Sequence, residues 1–344
     1  MKPTFLVIGV QKGSTSPCSY YLQQHQSIYM PTGEPHFFDN DIEYINGIDW
    51  YEKTYFKTNK RMVGEKSPSY IFLQKSLDRI KEHYPDIKLI IVLRNPILRA
   101  YSQYNHIKDV SNIDSNDYNP KARMFRKNYK SFHSIIKHDS KLKNYQQYST
   151  ILQRGYYDDQ IEYVYKLFPK KNVHIVISED LLEAPLRTMN YIFTFLDISL
   201  LSTINVNEDV NKREYTDIIS KPDFDLLNTL YASHNKRFYK LFNRTVHAWE
   251  HTTYDYIKFK QLNNRYIAVL HSGWKYFDIY LSEYIDKKVN ILEIGVYEGA
   301  LSNWMLTNIM THKKSKLYAI DSFNKSNKSN KSNKSNKSNK SNKS

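Results

Sequence analysis

The 344-residue chain contains a single cysteine, Cys18, so no intramolecular disulfide can form and a reducing, cytosol-like compartment is expected. No stretch approaches the about 18 uninterrupted apolar residues that a membrane span needs. Met1 stands only a few residues before the first apolar run, leaving no room for a charged segment, an apolar segment and a cleavage site. These absences together predict a cytoplasmic protein. There is no zinc-finger spacing, no RNP-like motif and no clear helix-turn-helix signature, so nucleic acid is not an expected partner, and no metal site is read. Residues 324–344 lack any apolar side chain: they are seven Asn-Lys-Ser repeats, which have nothing to bury and are expected to be disordered. Of the net charge of +15, seven lysines lie in that tail, leaving +8 for the rest. That field suits an anionic nucleotide or an anionic polysaccharide.

What the chain does have is a core. It is 40% hydrophobic and 15% aromatic, with apolar runs alternating between strand-like and helix-like periods. Strands are expected at about 4–10, 61–65, 88–93 and 173–178, with helices at about 16–25, 73–84, 96–108, 156–168, 185–196 and 223–242. The continuous run Leu89–Leu93 suits a central parallel strand covered on both faces, and Ile161, Val164, Tyr165 and Phe168 follow the spacing of a buried helical face. The pattern predicts an α/β fold, a three-layer, P-loop-like parallel sheet flanked by helices, with ligands at the carboxyl ends of the strands. Four regions are expected: a main domain over 1–250, a connecting region over 251–288, a short fragment over 289–323, and the tail over 324–344.

Two segments read as the ends of one nucleotide site. The apolar strand that begins near Phe5 runs into the turn Gln11-Lys12-Gly13-Ser14-Thr15-Ser16, where backbone N–H groups and an ammonium converge at the start of the next helix, a natural anion site. It is not a Walker A sequence, because the lysine precedes the second glycine rather than following it. In the second, Leu89–Leu93 is followed by Arg94-Asn95-Pro96 and, about two helical turns on, by Ser102, which places a guanidinium and a hydroxyl near a second phosphate. Taken singly, the Gly/Ser turn, Arg94 and Ser102 have plain structural readings as a connection, an ion-pair partner and a helix position.

These residues, with Glu34-Pro-His36-Phe-Phe-Asp39, Gly64-Glu-Lys66-Ser-Pro-Ser-Tyr70, Arg154-Gly-Tyr-Tyr157 and His234-Asn-Lys-Arg, resemble the sulfotransferases that use 3′-phosphoadenosine 5′-phosphosulfate. Within them the resemblance is to the carbohydrate group typified by heparan sulfate sulfotransferases, over roughly the first 250 residues. It implies that Lys12, Gly13, Ser14, Thr15 and Ser16 hold the 5′-phosphosulfate of this co-substrate, and that Arg94 and Ser102 hold its 3′-phosphate. Glu34 is the implied base that deprotonates an acceptor hydroxyl, with His36 as an alternative base or a supporting partner. Lys12 would stabilise the leaving group and Lys66 would approach the transferring sulfuryl group or the base. Tyr157 would line the nucleotide pocket, and Lys212-Arg213 would stand where the family has a basic phosphate-contacting loop, although that loop often contains glycine and Glu214 follows here. A glycan or glycoconjugate is the implied acceptor. Two other readings stay open: a catalytically silent nucleotide- or glycan-binding protein, and a methyltransferase remnant that uses the first half as scaffold.

The last of these rests on Val289-Asn-Ile-Leu-Glu293-Ile-Gly295-Val-Tyr-Glu-Gly299 and Lys316–Asp321, which resemble the opening Rossmann-like β-α-β unit of a class I S-adenosylmethionine-dependent methyltransferase. The repeats begin just after Phe323, so the unit lacks the further strands such a domain needs. S-adenosylmethionine is therefore not expected to bind.

Overall fold

The computed structural model describes residues 1–113, 131–142, 150–206, 218–250 and 252–254, together with residue 313 and two short segments, 290–294 and 316–320. The chain falls into two compact units, Met1–Ser272 and Gly273–Ser344.

The first unit is built on a five-stranded sheet in which every pairing is parallel. Its strands are β1 (Phe5–Gly9), β2 (Ile28–Tyr29), β3 (Met62–Lys66), β4 (Lys88–Leu93) and β5 (Val173–Ile177), in the spatial order β2-β3-β1-β4-β5. The alternation of side chains along β1 and β4 sorts the core into two layers. Leu6, Ile8, Leu89, Ile91 and Leu93 face one way, against Leu77 and Ile80 of the helix Gln74–His83 and Ile161 and Val164 of the helix Tyr157–Leu167. Phe5, Val7, Ile90 and Val92 face the other way, against Cys18, Tyr21 and Leu22 of the helix Thr15–Leu22 and Met189, Ile192 and Phe193 of the helix Pro185–Leu196. Both faces of β4 are therefore covered, which is why its sequence is apolar without interruption. The expected three-layer α/β architecture is the one observed. Cys18 is fully buried in the second layer, and burial pushes its thiol up to about 12, leaving it unreactive.

From β1 the chain goes first to β2 and β3 on one side and then returns to β4 and β5 on the other, so the order reverses between β1 and β4. A crevice opens outside the carboxyl ends at such a switch point, and the turns after β1 and β4 both lie there. Helix ends are set locally. Pro185 opens one helix, and Ser220 caps the helix Lys221–Phe242 by accepting from the Asp223 N–H. The short helix His247–Glu250 brings Trp249 into the core beside Tyr157 and Phe238. Among the described residues no helix is long and apolar enough to cross a membrane.

In the second unit, β6 (Asn290–Ile294) pairs in parallel with β7 (Lys316–Ile320). Gly295, Gly299, Asp321 and the tail lie outside the described residues.

Candidate active site

The turn after β1 is held tightly against β4. The Val10 N–H donates to the Val92 carbonyl at 2.9 Å, and the Gly13 N–H closes the turn on the Val10 carbonyl at 2.9 Å. A Cβ on Gly13 would stand 2.5 Å from the Val92 oxygen, so only glycine fits. Lys12 and Ser14 take left-handed backbone conformations, φ 66° and 71°. Ser14 sits at the cap position of the helix Thr15–Leu22 but makes no side-chain cap bond; its Oγ lies 2.6 Å from Ser178 Oγ at the end of β5. The first N–H groups of that helix are thus left uncapped by Ser14 and available to an anion. Replacing Gly13 with Ala is expected to destabilise the fold by about 1–3 kcal/mol through overpacking against β4, read as a lowered urea midpoint.

Beside this turn stands a chain of charged groups. Lys66, at the end of β3, donates from Nζ to Ser16 Oγ at 3.0 Å and pairs with Glu34 Oε1 at 2.9 Å. The other carboxylate oxygen of Glu34 lies 3.1 Å from His36 Nε2, and His36 Nδ1 lies 2.9 Å from Asp39 Oδ2. Burial pushes the Glu34 carboxyl up, but hydrogen bonds and charges from His36 and Lys66 outweigh it and hold the pKa below the usual carboxylate range. His36 is raised to about 10, first by its hydrogen bond to Asp39 and then by that to Glu34. At neutral pH the imidazole is a cation, which cannot take a proton but can orient and keep ionised the carboxylate beside it.

At the end of β4, Arg94 is half-buried, and its guanidinium enters none of the hydrogen bonds or ion pairs formed among the described residues. Its backbone is braced from two sides. The Tyr157 hydroxyl donates to the Arg94 carbonyl at 2.7 Å, and Glu179 accepts from the Asn95 N–H at 2.9 Å and from the Trp249 indole at 3.1 Å. Asn95 caps the helix Pro96–Ile113 by accepting from the N–H groups of Ile97 and Leu98. Farther along, Ser102 is buried, and Arg99, wholly buried, reaches the Gln11 carbonyl of the first turn at 3.5 Å and Gln103 at 2.7 Å. Arg154 is buried over the Phe72 ring at 4.3 Å, and burial, then repulsion from Arg99, press its pKa down to about 9.

Residues 2–263 match the sulfotransferase domain family. The chain belongs to that family. Its sulfotransferase domain is 30% identical over 197 residues to heparan sulfate glucosamine 3-O-sulfotransferase 5 of Mus musculus, covering 57% of this chain and 54% of that protein. It is 27% identical over 296 residues to the bifunctional heparan sulfate N-deacetylase/N-sulfotransferase of Drosophila melanogaster, over 72% of this chain and 27% of that one. The chain thus spans about half or less of the length of these relatives. Among solved structures, a sulfotransferase from Alicyclobacillus acidocaldarius superposes with a TM-score of 0.57 at 24% identity, over 73% of this chain and 99% of that one, and shares the fold. The comparisons lend no support to the methyltransferase resemblance of residues 289–323.

The sulfotransferase domain brings Ser16, Glu34, His36 and Lys66 into one connected group and sets Arg94 across the switch point from the Lys12–Thr15 turn. Tyr157 is 1% exposed and, through its bond to the Arg94 carbonyl, braces the turn after β4. Lys212 and Arg213 lie outside the described residues. In the His234 motif, His234 Nδ1 and Arg237 Nε hold the two oxygens of Asp158 at 2.7 and 2.6 Å, fixing the start of the helix Tyr157–Leu167. Asp39, Ser178 and Glu179 gained no role from the sequence. Asp39 stood three positions after His36 in a quoted motif, and the other two follow directly on a strand that the apolar pattern placed.

Proposed function

We propose that this domain transfers the sulfuryl group of 3′-phosphoadenosine 5′-phosphosulfate to a hydroxyl of a glycan, with Glu34 as the base. The observation that carries the reading is the Glu34 carboxylate, kept ionised between protonated His36 and Lys66, the latter also donating to Ser16 at the helix start that Ser14 leaves uncapped. The Arg94 guanidinium, which pairs with no group among the described residues, and the glycine-only approach at Gly13 suit a doubly phosphorylated nucleotide.

Glu34 takes the proton of the acceptor hydroxyl as its oxygen attacks sulfur; the bond from sulfur to the 5′-phosphate oxygen breaks, releasing adenosine 3′,5′-bisphosphate and the sulfate ester. Lys12 and the turn from Gly13 to Ser16 neutralise charge on that leaving oxygen, with no proton transfer needed. Lys66 can exchange Glu34 for a sulfuryl oxygen, which stabilises the transferring group and, by freeing the carboxylate, makes it a stronger base. A glycan acceptor is supported by the heparan sulfate named in the relatives' descriptions.

Donor recognition is testable without an acceptor. Adenosine 3′,5′-bisphosphate at about 100 times its Kd is expected to stabilise the domain by about 2.7 kcal/mol, seen as a raised Tm, whereas ATP and adenosine 5′-phosphate at the same concentration do much less. Arg94→Ala is expected to erase this preference. Equal stabilisation by ATP in the wild type would contradict the assignment.

A further inference from the structure

We infer that Ser67 and Tyr70, gathered around the buried carboxylate of Glu65, are positioning residues that fix the backbone of the loop carrying Glu34, His36 and Asp39. The inference deepens the proposed reading and rests on it for the word catalysis; the geometry stands without it.

Three consecutive backbone donors of that loop point into hydroxyls from the end of β3. The His36 N–H donates to Ser67 Oγ at 3.0 Å, the Phe37 N–H to the Tyr70 hydroxyl at 2.9 Å, and the Phe38 N–H to the same oxygen at 3.4 Å. Behind them Ser67 Oγ donates to Glu65 Oε2 at 2.9 Å, and the Tyr51 hydroxyl donates to Oε1 at 3.2 Å. Glu65, Ser67, Tyr70 and Tyr51 are all 0% exposed. Burial raises the Glu65 pKa to about 7 against the hydrogen bonds of Tyr70, Ser67 and Tyr51, and a hydroxyl that donates to its carboxyl group is a better acceptor for the next N–H, so the array strengthens the grip on the loop.

The loop needs that grip. His36 has φ 51°, a left-handed conformation that a residue with a Cβ holds only when its surroundings over-determine it. The conformation is what lets one imidazole meet Glu34 with Nε2 and Asp39 with Nδ1. Successive side chains of β3 also divide the work. Lys66 points to the Glu34 carboxylate and Ser16, while Glu65 on the opposite face organises the hydroxyls that hold the backbone. No sequence spacing reveals this, because the contacts join positions about thirty residues apart.

The test is the titration of the His36 ring by NMR in the wild type, Ser67→Ala and Tyr70→Phe, alongside kcat and the Kd for adenosine 3′,5′-bisphosphate. In the wild type the ring is expected to titrate near pH 10. In each variant the midpoint should fall by roughly one unit or more towards the free value, kcat should fall about tenfold or more, and the Kd should stay within about twofold. A folded variant whose His36 titrates as in the wild type overturns the inference, whatever its turnover. If Tyr70→Phe does not fold, Ser67→Ala, which removes a single oxygen, decides. If the wild type binds the bisphosphate but transfers no sulfuryl group to any acceptor, the proposed function fails while the His36 midpoint still judges the positioning.

Discussion

Replacing Glu34 with Gln is expected to lower turnover by roughly a hundredfold or more while leaving the Kd for adenosine 3′,5′-bisphosphate within about threefold. The amide keeps the size of the carboxylate but cannot accept the hydroxyl proton. Glu34 contacts Lys66 and His36 rather than the turn that would hold the donor, so donor affinity should be nearly untouched. His36 is a poor substitute base in the variant, because its hydrogen bond to Asp39, the largest cause of its raised pKa, is still there to hold it protonated at neutral pH. Near-normal turnover in Glu34→Gln would therefore remove the base from this account rather than move it two residues along.

Lys66→Met should be as damaging, with turnover lowered about a hundredfold or more, since one ammonium faces both Ser16 and Glu34 and would stabilise the transferring group. It also carries a pH signature. In the folded protein Glu34 is held below its ordinary pKa by His36 and Lys66 against the opposing effect of burial. Removing Lys66 leaves burial less opposed, the carboxyl pKa rises, and the acid limb of the pH–rate profile should move to higher pH. An acid limb that stays in place would mean that Glu34 is not the group whose protonation stops the reaction.

How far these features were legible depends on the distance over which each is made. The strands β1 and β4 carry the apolar runs that a covered parallel sheet demands, and the positions of β1, β3, β4 and β5 fell within a residue or so of expectation. Strand β2, only Ile28–Tyr29, is too short to carry a period, and the helices Ile48–Tyr55 and Phe132–Asp139 were likewise missed. In the second of these, Ser131 and Ser134 form a capping box without the glutamate or glutamine that would have marked it. The turn from Lys12 to Thr15 between β1 and the next helix was readable because it is local in sequence. An approach of Lys66 to the base was expected only through the resemblance, since the separation of Glu34 and Lys66 along the chain says nothing about contact; the ion pair between them is made by the fold. The bracing of Arg94 by Tyr157, Glu179 and Trp249 was invisible for the same reason: it joins the ends of two strands to a helix near residue 249.

The central claim is sulfuryl transfer from this donor with Glu34 as the base, and it is met most directly by incubating the protein and its Glu34→Gln variant with donor labelled in the sulfuryl group and a panel of glycans, glycolipids and tyrosyl peptides. The account predicts label in a glycan, with an equal amount of adenosine 3′,5′-bisphosphate released, and a rate reduced about a hundredfold or more in the variant. Label confined to tyrosyl peptides, or label in a glycan at the same rate with and without the carboxylate, would contradict it.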